Sequence, residues 1–296
     1  MSRIAAYAGV SRAPFLILPV TLAAAGAAAA AWEGHVDPVH TVLAFIALLA
    51  LHIAVNVMNE VSDARTGIDD RTEPTPFSGG SKTIPGGRLS RRRAFVYSLI
   101  CAAVGLGIGL WFLTRLGMIV LPFIVIGAIL VLAYSDILAR WVLGEVAAGL
   151  GLGWLAVVGV ATMQDGTLPT AAVAAGLPAF FMTFNLLLLN EFPDEDADRA
   201  GGRRHLVIVL GRPAAAIVYT VAALLTPLSI LAAVLASWLP PLALAAMLPS
   251  VLLLGPVRWA LTAPREPVPV PALGANVAWN LATNVFLAAG LVIATL

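Results

Sequence analysis

Nine long apolar stretches follow one another along this chain, at residues 13–31, 39–60, 94–113, 117–134, 142–162, 169–190, 213–238, 240–260 and 273–296. Each has the length, about 17–25 residues, that a helix needs to cross a bilayer. Lipid offers no partner to backbone N–H and C=O groups, so unbroken apolar runs of this kind are confined to helices. Charge is correspondingly scarce: 11% of the residues are Asp, Glu, Lys or Arg, against roughly a quarter in soluble domains. The expected fold is all-α and integral to the membrane, a single transmembrane unit over 1–296. Cys101 is the only cysteine, so neither an intrachain disulfide nor a cysteine metal cluster is available.

The placement of the basic residues supports this layout. With the N-terminus in the cytoplasm, all of the 17 Lys and Arg residues except Arg115 fall on the cytoplasmic side, as the positive-inside rule requires. The 61–93 and 191–212 segments then lie inside the cell, and Leu296 lies outside. Arg3, Arg12 and the Ala-rich run before Trp32 also resemble a secretory signal peptide. Its apolar run is long for that, and cleavage would leave an unpaired eighth span.

Within this apolar chain, two acidic stretches stand at the ends of hydrophobic segments. The first runs from Asn56 through Asn59, Glu60 and Asp63 to Asp69 and Asp70; the second runs from Asn190 through Asp194 to Asp198. On a helix Asn190, Asp194 and Asp198 share one face, and so do Asn56, Asn59 and Asp63. Asp63 and Asp194 are separated by four helices, an even number of crossings, so both stretches return to the same membrane face. The halves therefore look like two parallel four-helix repeats plus one helix. Solvated loop acids balanced by nearby arginines would be the ordinary explanation for one such aspartate, but two Asn-x-x-x-Asp groups on one face are harder to explain that way. Facing carboxylate and amide oxygens suit a hard divalent cation such as Mg²⁺, which shares its coordination with substrate phosphates. Asn59, Asp63, Asp69, Asn190, Asp194 and Asp198 are the expected metal ligands. Lys82, Arg140 and Arg203 are expected beside them, completing the neutralisation of a diphosphate.

These residues resemble the UbiA superfamily of intramembrane aromatic prenyltransferases over nearly the whole chain. The resemblance rests on Asn59-Glu60-Val61-Ser62-Asp63 with Gly67 and Asp69, and on Asn190 to Asp198 followed by Gly201-Gly202-Arg203-Arg204. The tract Phe77 to Gly87 looks like its menaquinone branch, whose members resemble 1,4-dihydroxy-2-naphthoate polyprenyltransferases; Tyr134-Ser135 and Gly144-Glu145 also fit. The resemblance implies about nine helices around a central cavity, Mg²⁺ and a prenyl diphosphate at the cytoplasmic end, and an isoprenoid tail in a lipid-accessible tunnel. It further implies ionisation of the allylic diphosphate and attack by an electron-rich acceptor. Taken with the helix faces, Asp63, Asp194, Asp198, Lys82 and Arg140 are expected to carry catalysis, while Asn56, Asn59, Lys82, Arg140, Asn190, Arg203 and Asn280 are expected to touch substrate. Glu60 stands where the family most often has Asp, and Gly67 where the ubiquinone type has another Asp. The pattern favours a naphthoate-like acceptor and quinone biosynthesis, with a lipid acceptor as the alternative.

Other polar residues invite plainer readings. Asn276, Asn280 and Asn284 form a stripe on the last span that could be interhelical hydrogen bonding or cavity lining. His52 and Asn56 are balanced between the same two roles, Asn185 reads as structural, and His205 as a solvated loop residue. Arg91-Arg92-Arg93 reads as an interfacial anchor. A transporter would explain the spans and stripes, but its binding sites tend to lie near the midplane, away from such acidic ends. A CDP-alcohol phosphotransferase would need its acids in one compact run. The expected partners are a prenyl diphosphate donor, an aromatic or lipid acceptor and membrane lipid, with no nucleic acid.

Overall fold

In a computed structural model, residues 3–296 are described, and among them the regular structure is entirely helical. A short amphipathic helix α1 (Arg3–Val10) precedes α2 (Ala13–Trp32), α3 (Pro38–Thr66), α4 (Arg91–Leu116), α5 (Met118–Ala133), α6 (Gly144–Thr162), α7 (Thr170–Ala200), α8 (Arg212–Leu235), α9 (Pro241–Thr262) and α10 (Val270–Thr295). Eight of these, α2 to α4 and α6 to α10, are long and apolar enough to span a bilayer, and α5 is a shorter apolar helix at the position of the fourth expected span. The chain is an integral membrane protein.

The loops divide into two sets that never mix among the contacts seen. At one end Asp37 N–H and Thr41 Oγ1 donate to Gln164 Oε1, His35 pairs with Asp165, and Ala171 N–H donates to Glu33. At the other end Arg12 meets Glu60, Arg203 meets Asp63, Val142 N–H donates to Arg204 O, and Arg212 reaches the Pro264 and Glu266 carbonyls. This is the alternation expected of the spans read from the sequence.

Two of the expected boundaries move. The 39–60 and 169–190 spans continue as α3 to Thr66 and α7 to Ala200, so the acidic stretches are helical and not loops. Gly67 ends α3 in the left-handed conformation (φ 73°), its N–H bonded to Asp63 O, the usual glycine stop. Pro193 sits inside α7 without ending it.

Helix α7 is the most enclosed of the spans, with 67% of its apolar window buried, whereas α4 has 22% and faces the surroundings. Small residues allow the inner helices to touch backbone to backbone. A Cβ on Gly26 of α2 would lie 2.4 Å from Val157 O of α6, and one on Gly290 of α10 would lie 2.6 Å from Leu242 O of α9. Helix α6 carries one wide π turn at Leu150–Trp154, where Leu152 leaves helical geometry and its carbonyl accepts from Thr183 Oγ1 at 3.0 Å. Such turns frequently mark functional sites, and Gly151 and Leu152 border the main cavity.

Candidate active site

A cavity of about 710 Å³ runs through the bundle. One end is polar, lined by the two acidic stretches, Arg12, Arg203 and the backbone of Gly79 and Gly80; the other ends at Phe112, Val120, Phe123 and Met163. Those four lie at the far ends of α4, α5 and α6, so the cavity crosses most of the bundle. Its wall includes Leu99, Leu106 and Leu132, all of them exposed.

The polar end is knitted together by Arg203, in the loop after α7. Its Nη2 donates to Asn59 Oδ1 at 2.7 Å and to Asp63, and Nη1 lies 3.4 Å from Asp198 Oδ1. Asn59 Nδ2 in turn donates to Asp63 Oδ2 at 2.9 Å, one turn along α3. Burial works against the Arg203 charge, but Asp63 and Asp198 more than offset this and raise its pKa above the ordinary arginine value. The two stretches thus face each other across one guanidinium, as their helical spacing suggested.

Asp69 belongs to a single helical turn, Ile68–Arg71, that follows Gly67. The 78–83 loop presses on it: a Cβ on Gly80 (φ +69°) would come within 2.3 Å of Asp69 Oδ1. Gly79 N–H reaches across to Asp194 Oδ2 at 3.2 Å. Burial first, and then the carboxylates of Glu60 and Asp63, push the Asp69 carboxyl up to about 7.

Of the residues expected at the site, Asn56, Asn59, Asp63, Asp69, Asn190, Asp194, Asp198, Arg203 and Asn280 line the cavity. Lys82 and Arg140 do not. Lys82 Nζ donates to the carbonyls of Asp69 and Thr72, holding the Asp69 turn from behind. Arg140 lies against Gly202, whose Cβ position is 3.4 Å from its Nη1. Glu60 is also turned away: Arg12 Nε donates to it at 2.8 Å, and Ser81 donates through N–H and Oγ. His205 is buried, not solvated, because the chain folds back beneath α7; its ring nitrogens lie 3.7 Å from Glu191 and 3.4 Å from Asp198. Arg12 was not expected at the cavity, although a cation just before the first span is a signal the sequence does carry.

The asparagine stripe divides. Asn276 is glue: it accepts from Tyr219 Oη at 3.0 Å and donates to Asn185 O, while Asn185 donates to Tyr219 O. Asn280 lines the cavity with Nδ2 buried and unpartnered, and His52 does so with Nδ1 unpartnered.

Residues 17–281 match the UbiA prenyltransferase family. The chain belongs to that family of prenyltransferases. It is 28% identical over 206 residues to a 1,4-dihydroxy-2-naphthoate octaprenyltransferase of Escherichia coli, covering 66% of this chain and 65% of that protein. It is 30% identical to a digeranylgeranylglyceryl phosphate synthase of Methanopyrus kandleri, covering 74% of this chain and 76% of that one. The fold is shared with a UbiA homologue from Aeropyrum pernix (TM-score 0.69, 17% identity, 96% and 98% of the two chains). A UbiA homologue from Archaeoglobus fulgidus bound to DMAPP and Mg²⁺ is similar too (TM-score 0.66, 15% identity, 97% and 99% covered). Family membership sets aside the transporter and phosphotransferase alternatives.

Proposed function

We propose that this protein transfers an isoprenyl group from a prenyl diphosphate to an aromatic, naphthoate-like acceptor, with release of diphosphate and dependence on Mg²⁺. The observation that carries the donor half is a set of buried carboxylate oxygens: Asp69 Oδ2 and Asp194 Oδ1 have no hydrogen-bond partner, and Asp198 Oδ1 has only the Arg203 guanidinium 3.4 Å away. Such oxygens, left dry, are strongly unfavourable. With Asn59, Asp63 and Asn190 they offer the all-oxygen ligands Mg²⁺ prefers, and Mg²⁺ keeps sites open for phosphate oxygens. Bound there, Mg²⁺ would supply Lewis-acid charge to the departing diphosphate.

The chain's own residues do the rest. Arg203 is fixed by Asn59, Asp63 and Asp198, so its charge is already oriented where negative charge grows on the leaving group. Lys82, outside the cavity, holds the Asp69 turn in place through the Asp69 and Thr72 carbonyls. The apolar length of the cavity accommodates an isoprenoid tail and excludes water from the allylic carbon after the C–O bond breaks. The acceptor carbon then forms the new C–C bond, its C–H bond breaks to restore the ring, and the proton passes to the released diphosphate.

The acceptor is the finer part of the reading. Among the described residues, Arg12 and Arg203 are the cations lining the cavity, and both are paired with carboxylates. That suits an acceptor recognised by neutral hydrogen bonds from Asn280 and His52 better than a glycerol phosphate carrying its own dianion. The Methanopyrus kandleri relative keeps the lipid acceptor as the alternative. The basic residues around the N-terminus and the acidic ends support a cytoplasmic placement of both, in the cell's inner or plasma membrane.

Purified protein should be offered paired donors and acceptors with Mg²⁺, and products weighed by mass spectrometry. A prenylated dihydroxynaphthoate supports the proposal. Product with a glycerol phosphate alone overturns the acceptor, and no diphosphate release from any donor overturns the function. Asn280→Leu should raise the acceptor KM about ten-fold, the effect of about 1–3 kcal/mol for an unpaired buried partner, with the donor KM unchanged. Two wild-type KM values would return the acceptor contact to other cavity residues.

A further inference from the structure

Beside the polar end of the cavity, with Glu191 in its wall and Glu145 and His205 outside it, lies a second convergence of ligand atoms. Glu145 opens α6, Glu191 stands on α7 beside Asn190, and His205 follows the loop that carries Arg203. All three are buried, and one oxygen or nitrogen from each lies within 4.8 Å of the other two. Glu145 Oε2, Glu191 Oε2 and both ring nitrogens of His205 have no hydrogen-bond partner. Glu145 Oε1 accepts from Leu206 N–H at 2.6 Å. The ion pairs of Arg203 run to Asp63 and Asp198 and not to these carboxylates.

We propose that Glu145, Glu191 and His205 form a separate site for a divalent transition cation of the Zn²⁺ class. Two carboxylates and a neutral imidazole around Zn²⁺ give zero net charge, which suits burial; two bare carboxylates do not. Imidazole nitrogen favours Zn²⁺ over Mg²⁺, whose sites are built of oxygen. A tetrahedral Zn²⁺ site places ligand atoms about 3.4 Å apart, so the three side chains close by roughly an ångström. His205 Nδ1 faces Glu191 at 3.7 Å while Nε2 faces Asp198 at 3.4 Å. Ligation at Nδ1 leaves the Nε2 proton to turn towards Asp198, the carboxylate–histidine–metal arrangement that fixes a ring. The ion would clamp α6, α7 and the following loop together and orient Asp198 from behind. This goes beyond the proposed transferase chemistry and does not depend on it.

The test is metal binding, not turnover. Intact protein is stripped with chelator, supplied with Zn²⁺ under excess Mg²⁺, desalted and analysed by elemental mass spectrometry. Wild type and Asp194→Asn should each retain about one Zn²⁺ per chain, whereas His205→Ala and Glu145→Gln should bind more than about 100-fold more weakly, beyond the loss typical of an outer-shell partner. Retention equal in all four, or lost with Asp194→Asn alone, overturns the site. No Zn²⁺ on wild type also overturns it and leaves a proton shared between the two carboxyls as the occupant. Should both variants fail to fold, Co²⁺ on wild type decides: intense tetrahedral bands support the site, and a weak octahedral all-oxygen spectrum overturns it.

Discussion

Replacing Arg203 by Met isolates the electrostatics of the polar end. The guanidinium is the shared partner of Asp63 and Asp198, whose side chains are only 5% and 2% exposed. Met keeps much of the length and removes the charge, leaving two buried carboxylates facing each other. Breaking a buried pair from one side costs about 3–5 kcal/mol, because the remaining charge is uncompensated. At about 2 °C per kcal/mol for a chain of this size, the thermal midpoint should fall by roughly 6–10 °C. That figure applies in chelator. Saturating Mg²⁺ would supply positive charge to the same carboxylates, so the deficit should shrink by half or more. Scanning fluorimetry of detergent-solubilised wild type and variant, with and without Mg²⁺, reads both numbers. A fall below about 2 °C in chelator, or a deficit indifferent to Mg²⁺, would refute the reasoning that Arg203 and a metal ion neutralise the same group of acids.

Asp194→Ala should leave the protein inserted and folded but lower turnover on the order of 10²–10³-fold; near-normal turnover removes Asp194 from the site. Reporter fusions after Pro85, Gly166 and Leu296 should read inside, outside and outside, and an inside reading at Leu296 would take a crossing away. Asp69 is pushed up to about 7, so between its unfolded value of about 4 and about 7 the folded protein holds a proton that the unfolded chain has lost. Cation-free wild type should therefore lose stability as pH rises through that window, more than Asp69→Asn does; parallel profiles of thermal midpoint against pH would show that Asp69 is not the titrating group.

Much of the site was legible because helices convert spacing into direction. Asn59 and Asp63, and Asn190, Asp194 and Asp198, share faces by periodicity alone, and an even number of crossings brings those faces to one side of the membrane. Periodicity also explains what could go wrong next to them. Glu60 is one residue from Asn59 and therefore about 100° away around the helix, where Arg12 and Ser81 claim it. Residues outside helices carried no such rule. Whether Lys82, Arg140 or His205 faces the cavity depends on how the 78–83, 134–142 and 201–205 segments fold back, and composition does not encode that path. The helical extension of α3 and α7 past their apolar ends was hidden for a related reason: acidic residues end a hydropathy window long before they end a helix.

The reach of Arg203 also has a consequence for how the protein is made. Its contact with Asp63 closes over 140 residues of sequence, whereas the Arg12–Glu60 contact closes over 48. A ribosome delivering this chain into the membrane hands over Glu60 together with its counter-charge, but Asp63 must wait while α4, α5, α6 and α7 are inserted. Until the loop after α7 emerges, Asp63 has neither the Arg203 guanidinium nor the opposing aspartates. A nascent chain stalled before that point would hold one half of an acidic mouth and no means of gripping a diphosphate, so the competence to cleave one is acquired late in synthesis.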